Sequence, residues 1–179
     1  MPKGMHRFTE LADRAASFAL TTLNEAHDRT VEALQTSGAT RHVKNLQMIR
    51  LSKAIFAVGM FSIFEAMLQD DLGASNGFKA ARNLLISMDE SELEARFSNY
   101  YLAINVLKHG DGESYRKLLG KKLELPFKVV SKDEEDEFEG DVSAVATLID
   151  ADDAFIENCG AIIRDVTAAI QRVRPGTLL

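Results

Sequence analysis

Asn105, Lys108 and His109 stand together near the end of a helical pattern, Tyr101-Leu102-Ala103-Ile104-Asn105-Val106-Leu107-Lys108-His109, which runs into Gly110-Asp111-Gly112. Residues four apart lie one above the other on a helix, so Asn105 and His109 share a face. An imidazole so placed can act as a general acid or base. An amide one turn away can hold the ring or a phosphate oxygen, and Lys108 can neutralise phosphate charge. Gly110 suits the positive-φ position that ends many helices. His109 and Asn105 are therefore the candidate catalytic residues. Lys108, Tyr101, Ser114 and Arg116 are the candidate substrate-binding residues. The plain structural alternative is that His109 caps the helix carbonyls and Asn105 is a surface residue.

The elements that must carry this cluster read as long helices. Residues 9–36 contain neither proline nor glycine. There Phe8, Leu11, Ala15, Phe18, Thr22 and Ala26 fall on one stripe at helical spacing, the predicted packing face. A turn over 36–40 leads to a second helix over 41–72, apolar on nearly every side between Ala54 and Leu68. Such a helix belongs at a bundle centre or in a subunit interface. Glu65 interrupts that stretch and predicts either a cationic partner or a watered groove. A short helix is expected over 78–88. The next is capped by Asp89 or Ser91 and carries Leu93, Phe97, Tyr100, Ile104 and Leu107 inward. The cluster of Tyr101, Asn105, Lys108 and His109 lies about 100° from that stripe.

Residues 111–140 are the least regular. One or two helical turns are expected over 114–119. Leu125-Pro126-Phe127-Lys128-Val129-Val130 reads as extended chain, either a docked loop or a short edge strand. The run Asp133-Glu134-Glu135-Asp136-Glu137 with Glu139 reads as a solvated loop. Asp141 then opens a last helix whose apolar series, from Val145 to Val173, is broken only by Asp152. The expected fold is all-α: an up-and-down bundle of four to five helices, one domain over 1–179, with one long irregular loop near 110–140.

With 46% hydrophobic and 27% charged residues the composition is that of an ordinary globular chain. No run reaches the roughly 18 consecutive apolar residues of a membrane span, so no membrane partner is expected. A net charge of −6 argues against indiscriminate nucleic-acid binding and leaves room for a local basic cleft. The single cysteine, Cys159, falls on an apolar stripe as a core thiol. It suits a reducing cytoplasm, the expected location. No Glu-x-x-His pair or other ligand spacing predicts a metal, and no cofactor is expected.

The stretch Asn105-x-x-Lys108-His109-Gly110 resembles the motif region of the HEPN superfamily (higher eukaryotes and prokaryotes nucleotide-binding). The order of long helices resembles that superfamily over most of the chain. Its members are helix bundles, commonly dimers, and many are ribonucleases of toxin–antitoxin and phage-defence systems. The family signature is an arginine, four to six residues, then a histidine, with a polar residue, often asparagine, after the arginine. The resemblance implies a homodimer that interacts with RNA or a nucleotide. If active, it would be a metal-independent endoribonuclease, with His109 moving the proton and Asn105 and Lys108 holding phosphate. Where the family carries arginine, this chain has Ile104. That departure supports a second expectation: a non-catalytic dimeric bundle that binds a protein partner.

Overall fold

Uninterrupted by proline or glycine, the first long segment forms α1 (Phe8–Thr36) in the computed structural model. The structure describes residues 8–131 and 147–176. Five further helices follow: α2 (Thr40–Leu72), α3 (Gly77–Ser87), α4 (Ser91–His109), α5 (Glu113–Leu119) and α6 (Asp153–Val173). The molecule is an all-α helical bundle. Buried residues from all six helices and from the segment after α5 join one core.

At its centre Phe61, Phe64, Phe78 and Phe97 bring α2, α3 and α4 together, with ring centroids 5.5–6.4 Å apart. The approach of α3 to α2 depends on Gly77. A Cβ there would lie 2.6 Å from the Glu65 carbonyl oxygen and 2.9 Å from the Gln69 nitrogen. Only glycine allows the start of α3 to rest on the α2 backbone and drive Phe78 inward. A second aromatic group, Tyr100, Phe127 and Phe155, has centroids 4.9–5.3 Å apart and ties the loop after α5 to α4 and α6.

That segment is a docked loop, and no strand forms among the described residues. Val129 forms an isolated antiparallel bridge with Ile149, closed by Val130 N–H to Leu148 O (2.9 Å) and Asp150 N–H to Lys128 O (3.1 Å). The Tyr115 hydroxyl donates to the Val130 carbonyl at 2.8 Å and docks the segment on α5. The acidic run 133–139 and the expected helix start at Asp141 lie outside the described residues.

Three expectations are corrected. The packing face of α1 is Ala12, Ala16 and Leu20, whereas Leu11 and Phe18 are 50% and 75% exposed. Small residues face inward because α1 approaches α6 closely: a Cβ on Gly160 would lie 3.0 Å from an Asp13 carboxylate oxygen. The last helix starts at Asp153, and Leu148 and Ile149 lie in the extended segment before it. Asp152 is not a break within it but its N-cap, accepting the Phe155 N–H at 2.7 Å. Neither Asp89 nor Ser91 caps α4. Glu90 occupies that position without a side-chain bond, and Asp89 takes the left-handed turn conformation, φ 59°.

The middle of α2 is core on one side and open on the other. Ala57, Phe61 and Phe64 are buried, while Ile55 and Ile63 are 62% and 55% exposed. By length and composition α2 is the one helix among the described residues that is apolar enough to cross a membrane, with 33% of its most apolar window buried.

Candidate functional site

α4 has a polar face whose members recur at alternating steps of four and three: Glu94, Ser98, Tyr101, Asn105 and Lys108. The face about 90° around the helix supplies Phe97, Tyr100 and Ile104 to the core, all at most 2% exposed. This division fixes the polar stripe toward α3 and α5. Gly110 ends the helix with its N–H on the Val106 carbonyl at 2.7 Å. Its φ of 71° with ψ of −141° is a conformation essentially confined to glycine, which turns the chain sharply into α5.

Tyr101 lines a recess of about 290 Å³ with Asn76, Lys79, Arg82, Asn83 and Ile86. The Tyr101 ring meets Phe78 edge-on at 5.2 Å, which holds it against α3. Arg82 also borders a second cleft, of about 450 Å³, with Glu94, Ser98, Asn99, Lys117 and Lys121. The two recesses form a polar groove along the seam of α3, α4 and α5. Asn105, half-buried, and Lys108 and His109, both exposed, continue the α4 face toward its C-terminus. Ser114 is half-buried and Arg116 exposed on α5. Tyr101 is the one predicted site residue that lines either recess. Asn105 and His109 share a face, but no hydrogen bond links the two.

Arg82 and Ser98 organise the groove centre: the guanidinium Nε and the hydroxyl each donate to Glu94 Oε1 at 2.7 Å. Lys121 donates to the Asn99 side-chain oxygen. Burial alone would raise the Glu94 carboxyl. The bonds from Ser98 and Arg82, with the charges of Arg82 and Lys121, outweigh it and hold the group below its ordinary 4.5. A depressed carboxylate stabilises the fold fully above its unfolded pKa and loses that contribution as pH falls through the folded value. Thermal unfolding of the wild type and Glu94→Gln should therefore converge as pH is lowered below 4.5, with the variant the less stable of the two above it.

Ile104, where the family pattern carries arginine, is 2% exposed in the core. Arg96 points away from the His109 face and pairs with Asp165 of α6 at 3.4 Å. Glu65 is half-buried, and Arg96 is engaged with Asp165 rather than with it. Burial pushes the Cys159 thiol well above its ordinary range, which makes it a core thiol and a poor nucleophile. No group of three potential metal ligands occurs among the described residues.

Sequence reasoning missed Lys79, Arg82, Asn99 and Lys121. The continuation of the α4 polar stripe through Ser98 and Glu94 was visible in the spacing. The residues that α3 and the turn after α5 bring to it were not. No protein-family model, curated protein or solved structure matches this chain.

Proposed function

We propose that this chain is an RNA- or nucleotide-binding helical bundle of HEPN-like type, which binds along the α3–α4–α5 seam without cleaving the strand. The observation that carries this reading is how the cations are partnered. Away from the seam, Arg14 meets Glu10, Arg29 meets Glu25, Lys53 meets Asp153, Arg164 meets Asp13 and Arg172 meets Glu90. Along the seam Arg82 pairs with Glu94 and Lys117 with Glu113, whereas Lys79, Lys108 and Arg116 form no ion pair with a carboxylate among the described residues and Lys121 bonds to an amide. Between Lys108 and Lys128 the sequence has six cationic and three acidic residues, in a chain of net charge −6. Cations without a carboxylate partner suit phosphate groups. The amides of Asn76, Asn83 and Asn99 beside them offer donors and acceptors for sugar or base edges.

Binding without cleavage follows from Ile104. In this reading His109 lacks the neighbouring guanidinium that would stabilise developing phosphorane charge, so it serves as a further phosphate contact. A reducing cytoplasm fits the lone buried thiol. The direct test is a gel-shift and cleavage assay on single-stranded RNA with the wild type and His109→Ala. The expected result is retarded, intact RNA with both proteins. Cleavage by the wild type that His109→Ala abolishes would restore the nuclease reading. RNA neither retarded nor cut would remove both.

A further inference from the structure

The smaller recess of the groove, of about 290 Å³, is lined by Asn76, Lys79, Arg82, Asn83 and Ile86 from the α3 segment and by Tyr101 from α4. None of these residues is a carboxylate. Donors therefore outnumber acceptors: an ammonium, a guanidinium, two amide NH2 groups and a phenol face two amide oxygens and the phenol oxygen. One of those oxygens is already used. The Asn76 side-chain oxygen accepts the Lys79 backbone N–H at 2.8 Å. An amide nitrogen has no lone pair to accept with, so this bond fixes which way the amide faces. The Asn76 NH2 group is left as a donor without a partner among the described residues. Asn83 differs. Its amide makes no hydrogen bond among the described residues, so it turns either way and selects neither donors nor acceptors.

Two apolar surfaces complete the recess. The Tyr101 ring rests on Phe78, with centroids 5.2 Å apart and the rings tilted by 61°, and stays half-buried. Ile86, toward the other end of α3, is 59% exposed and lies outside the core. A ring and an aliphatic side chain around a small polar hollow suit a flat heterocycle. Lys79 stands about one turn from Asn76, where a charged group attached to such a ring would lie.

Stacking discriminates little between nucleobases, because every base has a π-face. Their edges differ. Guanine and uracil present a carbonyl oxygen, O6 or O4, where adenine and cytosine present an amino group, N6 or N4. A fixed NH2 group beside an ammonium donates to the carbonyl. Against an amino group it sets donor against donor, and one polar group is left unsatisfied.

We infer that the recess seats one unpaired base of a strand and selects the keto bases, uracil and guanine, over cytosine and adenine. Tyr101 is the stacking platform, Asn76 determines the specificity, and Lys79 holds the phosphate of the same nucleotide. The hydrogen bond that caps α3 thus also orients the group that reads the base. This inference rests on the RNA reading and adds to it which bases the groove prefers.

The test is fluorescence anisotropy at low salt with labelled oligouridine and oligocytidine of about ten nucleotides, whose bases differ in their edges and hardly in size. The wild type should bind oligouridine about tenfold more tightly. A single guanosine within oligocytidine should raise the affinity, and a single adenosine should not. Asn76→Asp keeps the cap, since aspartate caps as well as asparagine, and puts an acceptor where the donor was. It should keep the wild-type circular dichroism spectrum, bind both strands more weakly because of its charge, and prefer oligocytidine. Tyr101→Leu should lose about tenfold on both strands, while Tyr101→Phe stays within a few-fold of the wild type. Equal wild-type affinity for the two strands would overturn the inference and leave the RNA reading standing. Binding of neither strand would overturn both. An Asn76→Asp chain that keeps the wild-type preference, or a Tyr101→Leu chain that binds like the wild type, would also overturn the inference.

Discussion

Ile104→Arg should abolish stable folding. The substitution supplies the guanidinium that the family pattern has before Asn105, so it reads as a repair of a degenerate site. In the bundle Ile104 is 2% exposed on the core face of α4, between Tyr100 and Leu107. A guanidinium there has no carboxylate within the apolar stripe to compensate its lost hydration. Burying an unpaired charge costs on the order of 3–5 kcal/mol, and overpacking adds about 1–3 more. A domain of this kind has about 5–15 kcal/mol in total. Urea denaturation followed by circular dichroism should give a midpoint near zero urea, or no cooperative transition. A variant that folds with near wild-type stability would mean that position 104 can turn toward the groove. It would reopen the nuclease reading.

Phe97→Ala should cost about 3–5 kcal/mol, the range for removing a fully buried phenyl ring. Phe97 has no exposed surface and touches Phe61, Phe64 and Phe78, with centroids at 6.4, 6.2 and 5.5 Å. It is the α4 member of the group that locks α4 to α2 and α3. Its loss would leave a cavity and loosen the seam that positions Arg82 against Glu94. The measurement is the urea midpoint at constant slope, and hydrogen exchange should rise in both α3 and α4. A cost under about 1 kcal/mol would mean that the ring's neighbours collapse onto the gap.

The fold class was legible because four of the six helices among the described residues are long and free of proline, with stops at 36–40 and after Leu72 and His109. The face of α1 was not. Size ranks Leu11 and Phe18 as core, yet close approach between helices selects Ala12 and Ala16, and that choice depends on α6, far away in sequence. The start of α6 was misread for a related reason. Ile149 continues the helical spacing by coincidence, while its pairing with Val129 is non-local. Asp152 offered the usual cap chemistry, but a polar residue inside an apolar series looks the same whether it breaks a helix or begins one.

The candidate site was half legible. The α4 polar stripe follows from spacing, so Tyr101, Asn105, Lys108 and His109 were found from the chain alone. What makes the stripe a groove comes from other elements: Lys79 and Arg82 from α3, and Lys121 from the turn after α5. No period in the sequence connects them. The absence of carboxylate partners for Lys79 and Lys108 among the described residues is visible only once the ion pairs elsewhere are formed.

That absence is tested most directly by fluorescence anisotropy of labelled single-stranded RNA over a range of salt, with the wild type and Lys79→Glu/Lys108→Glu. Unlabelled ATP as competitor separates a nucleotide site from a strand site. The wild type should bind with an affinity that falls steeply with salt. The double variant should bind more weakly, with a log–log slope shallower by roughly 1.4, about 0.7 for each phosphate left without its lysine. No binding at low salt, or an unchanged slope in the double variant, would contradict the assignment of this face to phosphate recognition.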